Sequence, residues 1–146
     1  MASDPLTLEN QVCFALAVAS RKVIGAYRPI LEPMGLTHPQ YLVMLALWER
    51  NPRTLADLGA ALALEPATLS PLLKRLEASG LVTRERNERD ERALDIRLTP
   101  EGRALRARAE TVPPRVAAML DMSLDELAGL REVLHRTIAA VDAIPA

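Results

Sequence analysis

The chain has 146 residues, 49% of them apolar and 25% charged, and its 18 basic and 19 acidic groups leave a net charge of -1. That is one ordinary domain, or a domain with an appended dimerisation element. It excludes intrinsic disorder and a wholesale polycation, though not a locally basic face. Four aromatic residues (Phe14, Tyr27, Tyr41 and Trp48) are too few for a stacking platform for single-stranded nucleic acid, and the lone Cys13 forbids an intramolecular disulfide.

The first helix reads from Val12 through Leu16, Ala19, Val23, Ala26 and Ile30, whose 4-3-4-3-4 spacing makes one amphipathic stripe. Thr7 is the expected N-cap, and Pro33-Met34-Gly35 ends the pattern. A second helix opens at His38-Pro39, carries Leu42, Leu45 and Trp48, and stops at Asn51-Pro52. Thr54 caps a third helix that runs to Leu62, and Glu65-Pro66 opens a fourth that ends at Ser79, before Gly80. Leu81 to Arg86 and Ala93 to Leu98 read as strands of a hairpin with a charged tip, Asn87 to Arg92. Thr99-Pro100-Glu101 starts a fifth helix, which Pro113-Pro114 must kink or break. Ser123-Leu124-Asp125-Glu126 is a capping box for a last helix striped by Leu127, Leu130, Leu134, Ile138 and Val141. Both terminal stripes lack a third layer to cover them, which predicts a homodimer.

The order helix, turn, helix, hairpin over residues 54–98 is that of a winged helix-turn-helix. The expected class is therefore mainly α (α+β). A winged helix-turn-helix DNA-binding region, 38–98, stands beside a helical dimerisation region formed by 6–34 and 100–146. The fourth helix is expected to bury Leu69, Leu72, Leu73 and Leu76. Its other face would present Ala67, Thr68, Ser70 and Pro71 to base edges, and Lys74 and Arg75 to phosphates, with Pro66 at its start also counted in the DNA-binding set. Pro71 costs about 3 kcal/mol in a helix interior unless the helix kinks or begins late. Arg86, Arg89 and Arg92 charge the hairpin, and residues 72–115 hold 11 of the 18 basic groups but 8 of the 19 acidic ones. A solvated charged hairpin on a helical domain is the plainer reading. Element order and tip charge agree independently on double-stranded DNA.

Leu64 to Leu98 resembles the MarR family of winged-helix regulators. The segments that carry the resemblance are Thr68-Leu69-Ser70, Leu72-Leu73-Lys74-Arg75-Leu76-Glu77, Gly80-Leu81-Val82, Asp90-Glu91-Arg92 and Leu98-Thr99-Pro100-Glu101-Gly102. Gln11 to Leu16, Tyr27-Arg28-Pro29 and Pro39 to Glu49 are similar to the organic-hydroperoxide-resistance (OhrR) branch in its one-cysteine form. The resemblance implies a repressor of a pseudo-palindromic operator, released when an organic hydroperoxide oxidises Cys13. It implies that Tyr27 hydrogen-bonds the thiolate, that Asp90 steadies the wing, and that Arg92 enters the minor groove. Where the family carries a second tyrosine this chain has His38, a group that titrates near neutrality.

Cys13 and Tyr27 lie 14 residues apart on one helix face, hence about 21 Å at ~1.5 Å per residue. If both serve one site, Tyr27 comes from an antiparallel partner helix. Read without the resemblance, Cys13 is a small buried hydrophobe placed more than a turn past its cap, where the macrodipole helps little, and His38 only decorates a helix start. The competing function is a MarR-type repressor released by a small aromatic or phenolic ligand, with Cys13 structural. No enzyme is expected, because neither a resolving cysteine nor a base–nucleophile pair is present. His135 is expected at solvent or an interface. Cys13, His38 and His135 form no ligand-spaced cluster, so no metal and no cofactor is expected. A low-molecular-weight thiol is a further expected partner of the oxidised cysteine. The apolar run from Val12 to Ala19 is short of the ~20 residues of a membrane span. It follows Asp4 and Glu9 where a signal peptide carries bases, so a cytoplasmic, membrane-free protein is expected.

Overall fold

Helix α1 (Val12–Leu31) begins later than Thr7 predicts, and the computed structural model, which describes residues 4–146, shows why. Leu8–Asn10 forms a 3-10 turn, and Gln11 beyond it is extended (φ -89°, ψ 117°). The Gln11 amide donates to the carbonyls of Pro5 and Thr7, and the Asn10 amide to that of Asp4. These local bonds hold the segment out of the helix. Thr7 makes no side-chain cap, and Gln11 is the N-cap residue of α1.

Two units follow from the contacts, Met1–Ala109 and Glu110–Ala146. After α1 the first unit contains α2 (His38–Glu49), β1 (Arg53–Thr54), α3 (Leu55–Leu62), α4 (Pro66–Ala78), β2 (Val82–Arg86), β3 (Leu94–Leu98) and α5 (Pro100–Ala109). A 3-10 turn at Glu32–Met34 and Gly35, with φ 72°, close α1. Thr37 then opens α2 with a capping box: its hydroxyl accepts from the Gln40 N–H, and the Gln40 side chain accepts from the Thr37 N–H. Helix α2 is apolar nearly all round. The face it buries is Tyr41, Val43, Met44 and Leu47, whereas Leu45 of the expected stripe is 40% exposed and Leu42 and Trp48 are half-buried.

Thr54 caps α3 through the Asp57 N–H. The sheet has strand order β1-β3-β2, antiparallel throughout, with Arg84 opposite Ile96. Leu58, Leu69, Leu73, Leu76, Val82 and Ile96 fill the core beneath it together with Leu31 and Leu47. Gly102 lets α5 lie on the strand entry. A Cβ there would stand 2.2 Å from the Leu81 carbonyl oxygen, and the Gly102 carbonyl accepts the Trp48 indole N–H at 2.9 Å.

In the second unit α6 spans Val112–Leu120 and α7 Leu124–Asp142. The chain leaves α5 at Ala109, before the two prolines, which fall inside the first turn of α6 where their missing N–H groups cost little. The Ser123–Glu126 capping box forms as expected. No α7 residue is buried: Leu127 and Leu134 are half-covered, while Leu130, Val133, Ile138 and Val141 are 45–61% exposed. Among the described residues no helix is long and apolar enough to cross a membrane.

Candidate functional site

Helix α4 runs unbroken from Pro66, at its first position, to Ala78, so Pro71 is an interior residue. Its missing N–H removes the bond to the Ala67 carbonyl, and both residues lie on the exposed face, away from the core. Leu69, Leu73 and Leu76 are buried, but Leu72 is only half-covered. Pro66, Ala67, Thr68, Pro71, Lys74 and Arg75 form one exposed face, with Ser70 half-buried at its margin.

The hairpin tip is built by two side chains. Asn87 accepts from the N–H groups of Arg89 and Asp90 (2.8 and 3.1 Å) and donates its amide to the Asp95 carboxylate at 2.9 Å. The Asp90 carboxylate accepts the Arg92 N–H at 3.0 Å, and the Asp90 carbonyl accepts that of Ala93. These bonds hold Arg86, Arg89 and Arg92 exposed on an ordered turn. Sequence reasoning passed over Asn87, although an Asn opening a polar turn is a recognisable Asx signal.

A second passed-over pair joins the helix to the hairpin. Glu77, in the last turn of α4, accepts the Arg84 guanidinium at 3.0 and 3.3 Å and the Arg84 backbone N–H at 3.2 Å. Hydrogen bonding from the guanidinium holds the Glu77 carboxyl below the usual carboxylate range. Behind the helix pair, Arg53 is 9% exposed. It donates to the Ala46 carbonyl at the end of α2 and to Asp57, which also pairs with Arg50 at 2.6 Å.

Cys13 is exposed and is the second residue of α1. The expectation that it lies more than a turn past its cap is therefore corrected: with Gln11 as N-cap it stands in the first turn, where the macrodipole acts. Tyr27 and His38 lie on facing elements with ring centroids 4.8 Å apart and planes at 65°, and the Tyr41 ring lies 6.1 Å from that of Tyr27, tilted at 43°. Burial pushes the phenol of Tyr27 up and the imidazole of His38 down, and Tyr41 is raised by burial and then by Tyr27. A cavity of about 240 Å³ adjoins His38, lined also by Ile24, Gly25, Arg28, Leu36 and Thr37. Tyr27 and His38 are thus brought together, while Cys13 stays far along α1 from both. His135 is exposed.

Residues 26–108 match the family model described as transcriptional regulator SarA/Rot. The chain is 45% identical to the HTH-type transcriptional regulator TtmR of Methylorubrum extorquens, over 90% of this chain and 71% of that protein. It is 40% identical to the organic hydroperoxide resistance transcriptional regulator of Bacillus subtilis, over 90% of each. The crystal structure of AbfR of Staphylococcus epidermidis superposes with a TM-score of 0.78 at 40% identity, over 94% of this chain and 95% of that one. AbfR is also known bound to DNA in reduced and in overoxidised form. The chain belongs to the SarA/Rot/MarR family of winged-helix transcriptional regulators.

Proposed function

We propose that this regulator is a homodimeric repressor of a pseudo-palindromic operator, and that an organic hydroperoxide releases it by oxidising Cys13. The observation that carries the reading is 40% identity to the hydroperoxide regulator over 90% of both chains, in a chain whose one cysteine is exposed in the first turn of α1. In this reading Thr68, Ser70 and Pro71 face bases in the major groove. Pro66 starts the recognition helix, Lys74, Arg75 and Arg86 meet phosphates, and Arg92, on the turn held by Asp90, enters the minor groove.

The dimer forms through α1 and the C-terminal helices, residues 6–34 and 100–146, with 38–98 left to bind DNA. Two observations support the reading, each within its own unit: Val12 and Leu16 are exposed on α1, and Leu130, Val133, Ile138 and Val141 on α7. An antiparallel partner helix supplies Tyr27 and His38 to Cys13. The Cys13 thiolate attacks the distal peroxide oxygen, an S–O bond forms, the O–O bond breaks, and the alkoxide leaves as the alcohol after taking a proton from water. The protein works in the cytoplasm, where its operator is, and needs no cofactor.

The test is operator binding with and without cumene hydroperoxide, for the wild type and Cys13→Ser. Peroxide is expected to release the wild type and leave the variant bound. The cavity beside His38 supports a second reading, release by a small phenolic ligand. Release of Cys13→Ser by salicylate, with peroxide inert on the wild type, establishes that one instead.

A further inference from the structure

We infer that Glu77 is a positioning residue for DNA binding: its grip on Arg84 fixes the wing relative to the recognition helix, so that both reach DNA at once. The inference rests on the proposed DNA interface and adds to it a residue that touches no DNA.

The covalent link between α4 and β2 is only Ser79, Gly80 and Leu81, closed as a Schellman turn: Gly80, at φ 78°, and Leu81 donate their N–H groups to the carbonyls of Glu77 and Leu76. Leu76 and Val82 are buried on either side of it. That packing, with the Thr99 hydroxyl and N–H donating to the Gly80 and Leu81 carbonyls, holds the root of the hairpin, but Arg92 lies at the far end, ten residues beyond Val82. A small rotation at the root is therefore a large displacement at the tip.

Glu77 adds a tie farther out along β2, at Arg84. One carboxylate oxygen takes two guanidinium nitrogens of Arg84, and the other takes its backbone N–H. β2 is an edge strand, so that N–H faces away from β3 and is satisfied by the helix rather than by the sheet. A planar fork plus a main-chain bond constrains both distance and angle. The pair is partly exposed, with side chains 28% and 39% accessible, and such pairs add little to folding stability. Its consequence lies in geometry: two tethered contacts to one duplex reinforce each other only while the tether holds them at the right span.

The experiment is a double-mutant cycle on a duplex that the wild-type protein selects from a randomised pool, long enough for two half-sites. Glu77→Gln, Arg92→Ala and the double variant are titrated, and thermal unfolding is followed for each. Glu77→Gln is expected to weaken binding about fivefold alone and less than about twofold in the Arg92→Ala background. Its melting temperature is expected to move by no more than about 2 °C. Equal losses in the two backgrounds, or no loss alone, overturn the inference. If Glu77→Gln unfolds, Arg84→Gln, which keeps the backbone bond, gives the same readout. If Arg92→Ala binds as tightly as wild type, the wing does not contact DNA, and the proposed interface fails together with the inference.

Discussion

The rings of Tyr27 and His38 meet edge to face, 4.8 Å between centroids, across the turn that joins α1 to α2. The imidazole is half-buried, and burial holds it below its usual 6.5, so it is neutral at physiological pH. A neutral imidazole carries one donor and one acceptor, where a tyrosine would carry a hydroxyl.

Because the folded-state pKa of His38 lies below its unfolded value, the unfolded chain binds the proton more readily. The stability tied to His38 is complete above about pH 6.5 and is lost as pH falls through the depressed folded value. His38→Gln should therefore flatten the decline in melting temperature between pH 7 and 5 relative to wild type. Parallel curves for the two proteins contradict this.

If His38 assists Cys13 across the dimer, the oxidation rate reads it directly. His38→Phe should slow cumene hydroperoxide oxidation about tenfold, the order expected for one lost hydrogen bond to a charged group, while His38→Tyr stays near wild type. Equal rates for all three proteins, followed by thiol titration, place His38 outside the sensing chemistry.

At the DNA face, Lys74→Ala should reduce the slope of log affinity against log salt by about one unit, since one phosphate contact goes with it. Asn87→Ala removes both the turn bonds and the bond to Asp95. It should weaken operator binding in the direction of Arg92→Ala without changing the salt slope. A changed slope for Asn87→Ala would mean that the turn holds a phosphate contact directly.

Gly102→Ala tests the packing that seats α5. The new methyl would meet the Leu81 carbonyl oxygen at 2.2 Å, an approach that only a backbone shift can relieve. A loss of about 2–3 kcal/mol is expected by urea unfolding, on the scale of overpacked cores. Ala at Gly129, which has open space around it, should be neutral or slightly stabilising.

Much of this architecture is local and so was legible. Thr54, Ser123, Pro66 and Gly80 each declare a helix end within one turn of sequence, and the hairpin alternates as a strand pair should. Three kinds of feature were not. Helix α2 has no polar face to orient it, so its inner side (Tyr41, Val43, Met44, Leu47) could not be told from Leu42 and Leu45 by period. Asn51 accepting from the Leu98 N–H, and Trp48 donating to Gly102, join residues 47 and 54 positions apart, a distance no window spans. The start of α1 was misplaced because Asn10 and Gln11 bond back to Asp4, Pro5 and Thr7, a competition that composition does not reveal. That last difference moves Cys13 into the first turn.

Association follows from the uncovered stripes. On α1 Val12 is 79% exposed and Leu16 43%, and on α7 Ile138 is 58% and Val141 61% exposed in the single chain, apolar surface that a partner would cover. Sedimentation at micromolar concentration should show a dimer, and Leu16→Asp or Ile138→Asp should dissociate it and abolish operator binding. A stable wild-type monomer would refute the dimer.

The trapping of the oxidised state depends on what the sulfenic acid meets next. Attack of the Cys13 thiolate on a hydroperoxide leaves Cys–SOH and an alcohol. With one cysteine in the chain, no second protein thiol of the same subunit can condense with it. A Cys13–Cys13 bridge across the dimer needs Cα atoms within about 7 Å. The proposed antiparallel arrangement, with Tyr27 serving the partner's cysteine, would set the two α1 N-termini at opposite ends of the helix pair, well beyond that. Peroxide alone should thus leave a non-covalent dimer, partly released from DNA. Added low-molecular-weight thiol should condense with the sulfenic acid, forming an S–S bond and losing water. The resulting mixed disulfide is bulky at a packed helix interface, where added volume strains the structure, and release should become complete and reversible by reductant. Intact-mass spectrometry after cumene hydroperoxide plus thiol reads the adduct, and operator binding on the same sample reads the release. A covalent dimer in that spectrum would rule out the antiparallel arrangement.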